Sequence, residues 1–140
     1  MTTVILFFSL LMFQQTTHLN EATSITVVVE NLQSSEGTLI VSLSSEETFM
    51  KAKPEYTLTS KISNGKATVT FENIGPGFYG ITVVHDENDN SRMDFDSSGM
   101  PTENYGISNN KINPYGPPVW SDAKFEVNGQ PLEFNIKLTR

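Results

Sequence analysis

Residues 67–84 read ATVTFENIGPGFYGITVV. Apolar and polar side chains alternate through Ala67, Val69 and Phe71, and again through Tyr79, Ile81 and Val83, with Pro76-Gly77 in between. Successive side chains of an extended chain point to opposite faces, so this spacing lines one face of each segment with apolar groups. Proline and glycine at the break are turn chemistry. The stretch predicts two half-buried strands joined by a turn.

The same period recurs on both sides of it. Ile25, Val27 and Val29 share a face, as do Leu39, Val41 and Leu43. Ala123, Phe125 and Val127 follow later, then Leu132, Phe134, Ile136 and Leu138, and Tyr56 to Ile62 forms a weaker strand. Asn64-Gly65 and Asn128-Gly129 each have the composition of a two-residue hairpin turn. Glu46 to Ala52 has room for one or two helical turns, but no segment carries a long apolar stripe at helical spacing. Short alternating strands of this kind predict an all-β fold, an antiparallel β-sandwich of about seven strands. With no repeat and no linker, residues 23–140 read as one domain.

Composition narrows the function. With 9 basic and 16 acidic residues the formal net charge is −7, the wrong sign for a general nucleic-acid binder. There is no cysteine, which excludes disulfides, thiolate metal centres and a cysteine nucleophile. Residues 4–13, VILFFSLLMF, are apolar but for one serine and carry no charge. That length fits the core of a signal peptide and falls short of the roughly 20 apolar residues that span a bilayer. Residues 1–22 are therefore expected to direct export, to the periplasm or beyond, and to be removed after about Ala22. No second stretch is long and apolar enough to span.

The segment from His85 to about Val119 lacks a strand pattern and is rich in Asn, Asp, Gly, Ser and Pro. Connections this long are uncommon within one domain and tend to carry function. Between His85 and Asn104 stand Asp86, Glu87, Asp89, Asp94, Asp96 and Glu103 against one base, Arg92. Crowded carboxylates repel one another, and a cation relieves the repulsion. Asp86, Asn88 and Asn90 fall at alternate positions with Asp94 four later, a spacing that turns hard oxygen donors toward one point. Oxygen ligands of this kind suit Ca²⁺. We take Asp86, Asn88, Asn90 and Asp94 as the candidate ligands, with Asp96 and Glu103 in reserve. The loop is not an EF-hand: counted from Asp86, Ser91 replaces the glycine at position 6 and Ser97 the glutamate at position 12. The same Asp and Asn residues also serve as turn caps through neighbouring backbone amides, with no ion at all. His85, by alternation, shares a face with Tyr79, Ile81 and Val83 and is expected to anchor the start of the loop. Tyr105, Tyr115 and Trp120 are candidates to stack on a sugar ring, with the edge of the core as the other place for Trp120.

Catalytic signatures are absent. No G-x-S-x-G presents a serine, and neither H-E-x-x-H nor a P-loop occurs. The expectation is a monomeric, non-enzymatic exported protein. Its acidic loop takes Ca²⁺ and presents a binding surface. The alternative is a carbohydrate-binding or envelope-protein-binding accessory module without a metal.

The chain from about Ile25 onward resembles a bacterial family of exported proteins, domain of unknown function 2141. The resemblance rests on Gly77-Phe78-Tyr79-Gly80-Ile81, His85-Asp86-Glu87-Asn88, Asn90, Asp94, Gly99-Met100-Pro101, Glu103, Tyr105-Gly106, Ser108-Asn109 and Pro117-Pro118 before a final hairpin. It implies a small exported protein with no agreed activity. The family usually has glycines where Asp89 and Ser91 stand here. The turn around Pro76-Gly77 is also similar to transthyretin-like and carboxypeptidase-regulatory-like sandwiches. The ending Lys137-Leu138-Thr139-Arg140 departs from the Tyr-Arg-Gly-Ser pattern of the hydroxyisourate hydrolases in that group, so their activity is not implied.

Overall fold

A computed structural model describes residues 21–140. The expected export segment, residues 1–22, lies almost wholly outside the described residues. The chain forms two sheets packed face to face, the sandwich that the alternation predicts. The first sheet contains β1 (Thr23–Val29), β4 (Ala67–Ile74) and β8 (Leu132–Asn135), in the order β4-β1-β8. The second is built on β5 (Gly77–Asp86), with β2 (Thr38–Ser44) on one edge and β3 (Tyr56–Ser60) beyond it. The other edge of β5 is shared by two short strands. Phe125–Val127 (β7) pairs with residues 77–79, and Tyr105–Ile107 (β6) pairs with residues 82–84.

The core between the sheets is the alternating apolar set. Ile25, Val27 and Val29 of β1 face Leu39, Val41 and Leu43 of β2, with Phe71, Ile81 and Val83 beside them, all buried. Side chains with branched Cβ or aromatic rings suit a pleated surface buried on one side, which is why these segments are strands.

Four details differ from the sequence expectation. First, β1 and β8 run parallel, whereas the sequence predicts antiparallel pairing throughout. β1 is an inner strand buried on every other residue, so both of its edges need partners, and β8 fills the edge β4 leaves open. Second, Asn128-Gly129 does not close a hairpin: β7 lies in the second sheet and β8 in the first. Third, Asn64 and Gly65 do have the paired positive φ values of a type I′ turn, 53° and 71°, and Ser63 bridges to Lys66. Yet the strands on either side belong to different sheets, so the turn makes a corner. Fourth, Ala123 stands in α1 (Trp120–Ala123), a single helical turn, and not in a strand. Its carbonyl accepts the Ser108 hydroxyl, and the Lys124 amide bonds back to the Trp120 carbonyl at 2.9 Å.

The long segment after His85 is more ordered than its composition predicts. It contains β6, a 3-10 turn at Ser108–Asn110 and a bridge between Phe95 and Pro101. β6 has three residues with glycine at its centre, too short to show an alternation. Glu46 to Ala52 forms turns and not a helix: the Phe49 amide bonds the Ser45 carbonyl at 2.9 Å and Ala52 bonds Thr48 at 3.0 Å, but Met50 takes left-handed backbone (φ 57°), which breaks the helical path.

Two glycines set where elements touch. A Cβ on Gly106 would lie 2.5 Å from the Lys137 carbonyl oxygen, so glycine lets the C-terminal segment cross β6 closely. Gly37 has φ +73°, and a Cβ there would fall 2.0 Å from the Asp86 carbonyl oxygen. Gly37 thus lets the β1–β2 connection lie on the end of β5. Gly99 has a similar φ of +84° with nothing within 4 Å of its missing Cβ, so it isolates the conformational cost. Gly99→Ala is expected to destabilise by about 1 kcal/mol. Gly37→Ala is expected to cost at least about 2 kcal/mol more, because the backbone must also move. Equal urea midpoints for the two variants would show that the close approach imposes nothing.

Candidate functional site

The acidic loop begins where β5 ends. His85 and Asp86 are the last residues of that strand and are 1% and 2% exposed. His85 pairs opposite Leu39 and extends the inward face, as the alternation predicts. Its Nε2 lies 2.8 Å from the Glu36 carbonyl oxygen, which only accepts, so Nε2 carries the hydrogen. The His85 amide donates to Asn104 at 2.9 Å. His85 therefore ties the start of the loop to the β1–β2 connection and to the loop's own end.

Asp86 points the other way and folds the loop over itself. Its Oδ1 accepts the Asn90 amide at 3.1 Å and its Oδ2 the Ser91 amide at 2.7 Å. Glu103, 5% exposed, does the same from the far side: Oε1 accepts the Glu87 amide at 3.1 Å and Oε2 the Asp94 amide at 3.2 Å. Two buried carboxylates thus take up four loop amides. Charge-assisted bonds of this kind satisfy backbone donors that strand pairing cannot reach. The tight path needs left-handed backbone at Asp89 (φ 54°) and Ser91 (φ 65°). Those are the two positions where the family that the sequence resembles usually has glycine, and here Asp and Ser adopt the conformation in its place. The Asp89 carboxylate is also held, by the Thr38 hydroxyl at 2.6 Å.

Asn88, Asn90 and Asp94 come together on the outer side of the loop. The Asn88 amide nitrogen is 2.7 Å from Asp94 Oδ2, and that of Asn90 is 2.8 Å and 2.7 Å from the two Asp94 oxygens. Arg92 Nε approaches the same carboxylate at 3.5 Å. The Asn90 and Asn88 amides, with a smaller contribution from Arg92, hold the Asp94 carboxyl below its usual range. Asp96 stands apart and caps its own turn, accepting the Ser98 hydroxyl at 2.6 Å and the Met100 amide at 3.0 Å. Those bonds, the hydroxyl first, lower its carboxyl too. Among the described residues, no three His, Cys, Asp or Glu side chains are grouped to hold a metal. The side chains that meet are one carboxylate, Asp94, and two amides, Asn88 and Asn90, while Asp86 and Glu103 hold the loop's backbone amides from its inner side.

The three aromatic candidates do not share a surface. Tyr105 lines a small cavity of about 160 Å³ with Ile112 and Leu138. Trp120 lines a separate open groove, and Tyr115 is 96% exposed, outside both sets of lining residues. The groove also contains Phe78, which stands beside Tyr79 at the start of a strand and which the sequence gives no reason to single out as a binding residue. Only its 58% exposure on the outward face of β5 marks it.

The model of a family of uncharacterized proteins conserved in bacteria (DUF2141) matches residues 27–135, and the chain belongs to that family. No curated protein and no solved structure matches it.

Because the folded carboxyl of Asp94 titrates below its unfolded value, it favours the fold while ionised. That contribution is present above the ordinary Asp range and is lost as pH falls through the lowered folded value. Asn90→Ala removes the first of the groups responsible. An NMR pH titration of the Asp94 carboxyl in EDTA is expected to show its midpoint moving up toward the ordinary value. An unmoved midpoint would mean that the amide contact is not formed in solution.

Proposed function

We propose, with membership of the DUF2141 family as the premise, that this is an exported, non-catalytic β-sandwich protein whose acidic loop binds Ca²⁺ and is stiffened by it into a binding surface. One observation carries the reading: the Asn88 and Asn90 side chains both meet the Asp94 carboxylate, above a turn whose amides are gripped by Asp86. A half-turn of each amide group exchanges nitrogen for oxygen at that point. Asp86, Asn88, Asn90 and Asp94 then offer two carboxylates and two amide oxygens, and backbone carbonyls and water supply the remaining ligands that Ca²⁺ takes. With Ca²⁺ bound, the ion neutralises part of the local negative charge and replaces the Asn–Asp bonds. Asp96 is engaged in its own turn and takes no part. Glu103 supports the set from behind by holding the Asp94 amide.

The apolar segment 4–13 is what supports export, and among the described residues no helix is long and apolar enough to cross a membrane. The protein recovered from the envelope of its host is expected to begin near Thr23 on N-terminal sequencing. Recovery from the cytoplasm with Met1 retained would contradict export.

The metal reading is tested by the melting temperature of the purified protein in EDTA and in millimolar Ca²⁺. Ligand at 100 times Kd adds about 2.7 kcal/mol of stability, a rise of several degrees for a domain of this size. Asp94→Ala, on the outer side of the loop, is expected to abolish the rise and to lower the EDTA value by less than Asp86→Ala does. Asp86→Ala is expected to lower stability in both conditions, because it frees two buried loop amides. Identical melting curves for the native protein in EDTA, Ca²⁺ and Mg²⁺ would exclude the site.

A further inference from the structure

Phe78 and Gly80 lie two residues apart on the outward face of β5, near the end opposite the acidic loop. Gly80 is buried there because two rings cover it: a Cβ at this position would meet Phe49 at 3.0 Å and Trp120 at 3.2 Å. Glycine lets both rings lie directly on the sheet. Phe49 and Trp120 meet edge to face, with centroids 5.7 Å apart at 62°, and buried Ile107 and Ala123 complete this small second core.

The Trp120 turn is pinned from behind. The buried Ser108 hydroxyl accepts the Ile81 amide at 3.0 Å, in the gap between β6 and β7, and donates to the Ala123 carbonyl. The Asn109 amide bonds the Asp122 and Lys124 carbonyls at 2.9 Å and 3.2 Å. Trp120 is therefore a fixed ring, half-buried, next to a second ring left in solvent.

Trp120 and Phe78 line an open groove of about 750 Å³ together with Ser45, Glu46, Glu47, Lys51 and Lys124. Two acids and two bases leave no net charge, so neither an anion nor a cation is selected. What the walls offer is an even supply of donors and acceptors beside an aromatic face. A pyranose ring matches that pairing: its C–H face meets the negative π face of a ring, and its hydroxyls bond charged side chains. Aromatic residues on a rigid support also lose little freedom on binding.

We propose that the Phe78–Trp120 groove is a binding site for a neutral oligosaccharide. It lies on the first residues of β5, eight residues from Asp86 along the strand and roughly 26 Å away at the rise of an extended chain, so it functions independently of the ion.

Trp120 is the only tryptophan of the chain, so its emission reports on the groove directly. The purified protein, in EDTA, is titrated with cellohexaose, maltohexaose and laminarihexaose, and with an oligogalacturonate as the anionic contrast. At least one neutral hexasaccharide is expected to give a saturable change in emission, and the oligogalacturonate none. Phe78→Ala removes a side chain already in solvent, so the melting temperature stays and the affinity falls about tenfold or more. Tyr115→Ala leaves the titration unchanged. No response to any neutral hexasaccharide, a response to the anionic one alone, or an affinity untouched by Phe78→Ala would each overturn the proposal.

Discussion

Strand β5 is the constraint on which the rest of the molecule depends. Its ten residues give one face to the core through Ile81 and Val83, and both of its edges are taken, by β2 on one side and by β6 and β7 on the other. A strand paired on both edges and packed on its inner face has little freedom to slip, because a shift of one residue would turn His85 and Val83 outward. Features at its two ends inherit that rigidity. At the C-terminal end the chain runs straight into the acidic loop, and at the N-terminal end it carries Phe78 and the seat of Trp120.

The loop shows how carboxylates that seem surplus in a sequence serve structure. Asp86 and Glu103 are buried, which for an isolated charge would be costly, and four backbone amides offset that cost. Their bonds hold the loop's inner side without any ion. The outer side is different: the side chains of Asn88, Asn90 and Asp94 bond to one another, to their own loop's amides and to Arg92. A framework of buried acceptors under an adaptable outer set is what a site needs if it is to bind an ion without refolding around it.

The fold was readable because alternation is a direct consequence of burying one face of a strand. All seven predicted segments are found as strands, with Lys61, Ile62, Ala123 and the residues after Asn135 falling outside them. What could not be read is which sheet each strand joins. The turns at Asn64-Gly65 and Asn128-Gly129 have hairpin composition, yet both lead from one sheet to the other, and β1 and β5 each take partners on both edges. In the loop, the spacing does bring Asn88, Asn90 and Asp94 together, while the inward turn of Asp86 to brace the loop with Glu103 does not show in the spacing, since it depends on Glu103 and on Gly37 just before β2. Phe78 gave no signal because the glycine that seats the rings beside it has many other uses.

The central claim is that the loop is ordered from within by Asp86 and Glu103. Amide hydrogen exchange in EDTA tests it most directly. The amides of Glu87, Asn90, Ser91 and Asp94 are predicted to exchange slowly, with protection approaching that of β5, because each is bonded to a buried carboxylate. Exchange of these four amides at the rate of an unstructured peptide, with β5 still protected, would contradict the account.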